Sequence, residues 1–114
     1  FCLEGDLGAG KTVFAAGFAK GLDIETPICS PTFTILQIYE EGRLPLYHFD
    51  TYRIEEPDEM YEIGYEEYVY GNGVSLIEWP IRIDEIIPDD AIYVRISKDL
   101  DKGFDYRRIE ITEA

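Results

Sequence analysis

Gly5-Asp6-Leu7-Gly8-Ala9-Gly10-Lys11-Thr12 decides the fold. A glycine, four residues and then Gly-Lys-Thr is the phosphate-loop pattern, and each fixed position has a task. The glycines let the backbone curl so that successive N–H groups point into one anion-sized hollow. Lys11 can reach the β- and γ-phosphates of a nucleotide, and the Thr12 hydroxyl can supply one ligand to Mg²⁺. A following helix adds its positive end to the same hollow. The neighbouring residues fit this order. Phe1-Cys2-Leu3 is an apolar run suited to a buried strand, and Phe14, Phe18 and Leu22 recur at i, i+4, i+8, one face of a helix. Gly21 suits the region of a helix C-cap. The bland alternative is a glycine-rich turn with no ligand, and the strand–loop–helix order weighs against it. The expected fold is α/β, a P-loop NTPase-like three-layer arrangement with a mixed central sheet flanked by helices.

Outward from the loop, residues 24–32 read as a loop, because Pro27 and Ser30-Pro31-Thr32 interrupt any periodicity. Residues 33–39 and 44–52 read as strands around the turn Glu40-Glu41-Gly42-Arg43, so they are expected to pair as an antiparallel hairpin. Pro57, followed by Asp58 and Glu59, suits a helix start, and two short helices separated by Gly64 are expected up to Tyr70. Gly71-Asn72-Gly73 is a turn. Val74-Ser75-Leu76-Ile77-Glu78 reads as a buried strand closed by Trp79-Pro80. A short helix over 83–87 and a terminal strand pair, 91–97 with 107–112, complete the prediction.

The 114 residues suggest one domain over 1–114, and 46% hydrophobic residues are enough for a core. The chain opens without methionine on a strand that runs straight into the loop, and P-loop folds carry more sheet than these segments supply, so an N-terminal piece is expected to be absent from it. With 24 acids against 10 bases the net charge is −14. That surface repels phosphate backbones and disfavours direct nucleic-acid binding. A solvated acidic surface and a basic protein partner both account for it. Cys2 and Cys29 have no CxxC or histidine-spaced companion, so reduced, buried thiols in the cytoplasm are expected. No apolar run reaches membrane-spanning length.

A phosphate loop needs an acid for the metal and the attacking water. Glu78 ends the apolar run 74–78 and leads the candidates; its alternative is a surface glutamate at a strand end. His48 and Asp50 lie two apart on a strand and so share a face, with Phe49 opposite. Asp50 could join the metal shell. His48 could be a hydrogen-bond partner or titrate near neutrality, and lone histidines are more often structural. For Arg53 a phosphate contact is possible, but an ion pair is the better reading in so acidic a chain. Thr32 in the 30–33 loop is the plausible sensor of a γ-phosphate, by analogy with nucleotide switches. No Asn-Lys-x-Asp guanine reader exists, which leaves ATP by default.

The phosphate loop, Ser30-Pro31-Thr32-Phe33, Pro45-Leu46-Tyr47-His48-Phe49-Asp50-Thr51-Tyr52-Arg53, Ile63-Gly64 and Leu76-Ile77-Glu78-Trp79-Pro80 stand in an order and spacing that resembles the TsaE family, formerly YjeE, of small bacterial P-loop ATPases. The likeness is specific to about residue 88 and looser beyond. It implies an Mg²⁺-dependent ATPase, weak alone, that binds the TsaD–TsaB heterodimer. ATP hydrolysis would support formation of threonylcarbamoyladenosine beside the tRNA anticodon. The chain would not itself be the transferase, and would meet tRNA only through the complex. Carried over by position, Asp6, Gly8, Ala9, Gly10, Lys11, Thr12, Val13 and Thr32 would hold nucleotide. Thr12, Asp50 and Glu78 would serve the metal, and Glu78, Lys11 and Asp50 the chemistry. Trp79 would lie beside the site or pack the core.

Three departures stand out. Val13 replaces the family's frequent second threonine and loses a hydroxyl contact. Thr51 replaces a usual leucine, which looks harmless. The family normally has a strand and a helix before residue 1, and the resemblance implies that this chain lacks them. Two rival functions remain: a small-molecule kinase, and a nucleotide-gated binding module with negligible hydrolysis.

Overall fold

The computed structural model describes residues 1–5, 10–28, 35–103 and 105–113. Its strands are β1 (Cys2–Gly5), β2 (Leu36–Tyr39), β3 (Leu46–Asp50), β4 (Val74–Glu78), β5 (Ile92–Lys98) and β6 (Arg107–Glu113). They form one sheet in the order β2-β3-β4-β1-β5-β6. The inner pairs β3–β4, β4–β1 and β1–β5 are parallel, and the two outer pairs are antiparallel. The sheet is therefore mixed, with both expected hairpin-type pairs at its edges. Strand β4 has the bounds expected of it; β3 is two residues shorter at each end, β5 is shifted by one residue and β6 is one residue longer, while β2 begins at Leu36, with residues 33 and 34 of its expected range outside the described residues.

Two cores follow from strand alternation. Leu3, Leu46, Leu76, Val94 and Ile96 face helix α1 (Lys11–Gly21), whereas Cys2, Phe49 and Ile77 face the opposite way. Central strands covered on both faces are largely apolar, which is why 74–77 reads as a near-continuous run with Ser75 as its one polar residue. The second face is covered by a 3₁₀ segment Pro57–Ile63, helix α2 (Tyr65–Val69) and a second 3₁₀ segment Pro80–Ile86. Pro57 starts the first, and the Glu59 carboxylate accepts the backbone N–H of Glu55 and Glu56, both at 2.8 Å. The short helix expected over 83–87 begins three residues earlier, because Trp79-Pro80 starts it instead of ending the strand. Cys2 is a free, buried thiol whose pKa burial pushes up to about 11, so it stays protonated and inert at neutral pH. Cys29 lies outside the described residues.

Helix α1 corrects one expectation. Its innermost stripe is Lys11, Ala15, Ala19 and then Leu22, while Phe14 and Phe18 flank it half-buried. Alanines let the helix axis come close to the sheet; the phenylalanines fill the sides, and Phe18 meets the Phe1 ring edge-on at 5.0 Å. Gly21 is the last helical residue, and the left-handed residue that follows the helix is Asp23, φ 63.

The β2–β3 turn docks on the end of α1. The Arg43 guanidinium donates to the Gly21 carbonyl at 2.9 Å, and Arg43 N–H donates to the Leu22 carbonyl at 2.9 Å. Gly42 passes so near that a Cβ would run into the Leu22 carbonyl oxygen. Backbone cannot yield as a side chain can. Gly42→Ala is therefore expected to cost about 2 kcal/mol in urea unfolding, and an unchanged midpoint would refute this account of the turn.

Candidate functional site

Ligands of open α/β sheets sit outside the carboxyl ends of parallel strands. Here β1 ends at Gly5, β3 at Asp50 and β4 at Glu78, on adjacent strands. Asp50 is directly in register with Glu78, and Leu3 with Glu78 on the other side. Gly10, at φ 110, adopts the left-handed conformation that a glycine tolerates and leads the chain into α1. Lys11 in the first turn is buried, and Thr12 and Val13 are exposed beside it. Lys11, Asp50 and Glu78 are thus gathered at one end of the sheet, as the sequence predicts. Asp6, Gly8, Ala9 and Thr32, and the 30–33 loop with them, lie outside the described residues.

Glu78 is buried, and its Oε2 stands 2.5 Å from His48 Nε2, itself 1% exposed. An ionised carboxylate only accepts, so the ring donates from Nε2. His48 Nδ1 has no hydrogen-bond partner among the described residues. Of the readings open for His48, the structure favours the hydrogen-bond partner. Asp50 is half-buried, and its Oδ1 accepts the Tyr52 N–H at 3.0 Å, closing the turn after β3. Burial pushes the Asp50 carboxyl above its ordinary value of 3.8. The Tyr52 N–H pulls it down, the nearby Glu78 charge raises it, and His48 and Lys11 lower it.

The sign of that shift makes a prediction. A carboxyl raised in the folded state stabilises below its unfolded value, and that contribution is lost as pH rises through the folded one. At pH 7 the charged Asp50 thus works against folding. Asp50→Asn keeps an acceptor for the Tyr52 N–H and removes the charge. We expect this substitution to raise Tm at pH 7, with the gain vanishing below about pH 3.8. A lower Tm at neutral pH would contradict this.

Trp79 closes the site. It is one of two described non-glycine residues with positive φ, at 59°. Its ring centroid lies 3.8 Å from Lys11 Nζ, and the Tyr52 ring packs on it at 4.9 Å, with the Arg82 guanidinium 5.7 Å from Tyr52. Cation and aromatic face attract most strongly where water is excluded. Trp79 is therefore half-buried against the site lysine. Arg53 behaves otherwise: it is exposed and makes no ion pair among the described residues, so the expected pairing is not found.

A cleft of about 370 Å³ adjoins this cluster, lined by Gly5, Lys11, Trp79, Ile81, Arg95 and Ser97. Its size is in the range of small-molecule sites. The β5 residues Arg95 and Ser97 were missed by sequence reasoning. The signal that could have found them is the parallel pairing of β5 with β1, which puts their strand end beside the loop. Among the described residues no group of three or more histidines, cysteines or acids could hold a metal alone. Thr12, Asp50 and Glu78 offer one hydroxyl and two carboxylates, oxygen donors of the kind that a hard divalent cation takes.

Fold and cluster define the class: a mixed-sheet α/β protein with paired acids and a buried lysine at the carboxyl ends of its parallel strands. The chain belongs to the TsaE family, described as "Threonylcarbamoyl adenosine biosynthesis protein TsaE", which matches residues 1–109. It is similar to the tRNA threonylcarbamoyladenosine biosynthesis protein TsaE of Bacillus subtilis, 49% identical over 96% of this chain and 66% of the relative. The protein of the same description from Treponema pallidum is 46% identical over 82% of this chain and 69% of the relative. The crystal structure of Bacillus subtilis YdiB superposes with a TM-score of 0.77 at 43% identity, over 98% of this chain and 66% of that one. The chain thus spans about two thirds of the length of these relatives. No helix among the described residues is long and apolar enough to cross a membrane.

Proposed function

We propose that this chain binds ATP with Mg²⁺ and hydrolyses it in support of the TsaD–TsaB heterodimer, within threonylcarbamoyladenosine biosynthesis in the cytoplasm. One observation carries the reading: a buried carboxylate, Glu78, held by His48 in register with Asp50, at the strand end that faces the Lys11 helix. In such a site Lys11 neutralises charge on the phosphates and Glu78 orients the attacking water. Bound Mg²⁺ would supply charge neutralisation at the β- and γ-phosphate oxygens. In this reading Thr12 would offer a hydroxyl to the metal, and Asp50 and Glu78 their carboxylates. The −14 charge fits action through protein partners, with tRNA met only inside the complex.

A second reading is favoured by one feature. Glu78 already spends a hydrogen bond on His48 in a buried pocket, which suits a structural acid in a nucleotide-gated binding module. Capture of the chain on immobilised TsaD–TsaB with ATP, ADP or no nucleotide, with phosphate release followed in parallel, tests both. ATP-dependent capture with turnover supports the ATPase. ATP-dependent capture without turnover supports the module, and capture indifferent to nucleotide with no turnover sinks both.

A further inference from the structure

Thr51 follows the last residue of β3 and has no exposed surface. A hydroxyl shut away from water needs a partner. Thr51 Oγ1 lies 2.9 Å from the Glu78 carbonyl oxygen and 2.7 Å from that of Trp79, so its proton is shared between the two. Its backbone N–H donates to the same Glu78 carbonyl at 3.2 Å. Three contacts from one residue converge on the turn that ends β4.

That turn is where the backbone is strained. Trp79 sits at φ 59, ψ 49, a conformation that costs a bulky residue energy and persists only where the surroundings over-determine it. In an extended strand successive carbonyls point to opposite sides; in a helical-type conformation of either hand they point alike. A hydroxyl that binds the carbonyls on both sides of Trp79 therefore selects against extension at that residue. The handedness decides where the indole goes, and it goes against Lys11 Nζ.

We propose that Thr51 is a positioning residue. Its hydroxyl keeps the backbone at Trp79 from extending, so that the left-handed turn found there seats the indole on Lys11, and it anchors the Glu78 backbone at the site. Thr51 touches no substrate in this scheme, and its effect on turnover rests on the ATPase reading above.

Thr51→Val preserves shape and deletes the hydroxyl; Thr51→Ser keeps the hydroxyl and deletes a methyl. Trp79 is the only tryptophan in the chain, so its emission reports the turn directly. In the full chain, T51V is expected to shift that emission toward a solvated indole and to lower ATP turnover with TsaD–TsaB about tenfold. T51S is expected to restore both to within about twofold. A packing role predicts the opposite order, with T51V like wild type and T51S impaired, and that order would overturn the proposal. T51A beside T51S differs by the hydroxyl alone and carries the same comparison should T51V not fold. If wild type shows no turnover with its partners, the ATPase reading fails, while the emission order of the variants still decides the role of Thr51.

Discussion

Glu78→Gln is expected to cut partner-stimulated ATP turnover by about 100-fold or more, the loss usual when a positioned acid–base group is removed. Nucleotide binding is expected to survive. The amide oxygen that replaces the carboxylate can still accept from His48 Nε2, so the pocket keeps its hydrogen bond and its shape. What disappears is the negative charge that would orient and polarise the attacking water. Steady-state phosphate release with TsaD–TsaB, beside equilibrium binding of a labelled ATP analogue, separates the two effects. Full turnover in the E78Q variant would remove this residue from the chemistry and leave it as scaffolding. A matching loss of binding would place its contribution in the ground state instead.

His48→Ala should be the most damaging single change to stability at this end of the sheet. It empties a space inside the protein and leaves the Glu78 carboxylate buried without its donor. Removing one partner of such a pair costs about 3 kcal/mol. The double variant His48→Ala/Glu78→Gln isolates the electrostatic share, because a neutral amide tolerates the dry pocket better than an unpaired charge. Urea unfolding of the four proteins closes the cycle. A single-variant loss below about 0.5 kcal/mol, the range of ordinary surface changes, would show that water or another group satisfies Glu78 without the ring.

Much of this arrangement was legible in the residues, for identifiable reasons. The run 74–78 is apolar on both faces and stops at an acid, so its bounds and its site residue could be read together. The hairpin around Gly42 and the terminal pair carry alternation and turn residues, which are local signals. The sharing of a face by His48 and Asp50 needs only the two-residue period. The bond from His48 to Glu78 was not legible, because it joins residues 30 apart and depends on the parallel register of β3 with β4. The phenylalanine stripe misled because hydrophobicity does not reveal how near a helix approaches a sheet; the alanines set that distance. Thr51 looked neutral beside a leucine, since a hydroxyl's value lies in which carbonyls it meets. Arg53 was assigned a partner from bulk charge, and composition does not say which acids are within reach.

The strand order also bears on the sequence of events by which the chain assembles. Strand β1 lies between β4 and β5, so its residues wait for pairing partners that follow much later in the chain, and Arg95 closes on Glu4 across 91 positions. Such distant closure is slow, because chain entropy must be surrendered before the contact returns anything. The β2–β3 hairpin needs no such wait. Amide-exchange pulse labelling during refolding is expected to protect Gln37 and His48, a hydrogen-bonded pair of the hairpin, before Leu3 and Val94; simultaneous protection would contradict it. Until then the two halves of the site, the lysine helix after β1 and the acids after β3 and β4, are strangers on one chain. Competence to act would thus arrive late, when β1 pairs with β4, and a nascent copy would lack the assembled cluster until β4 has been made.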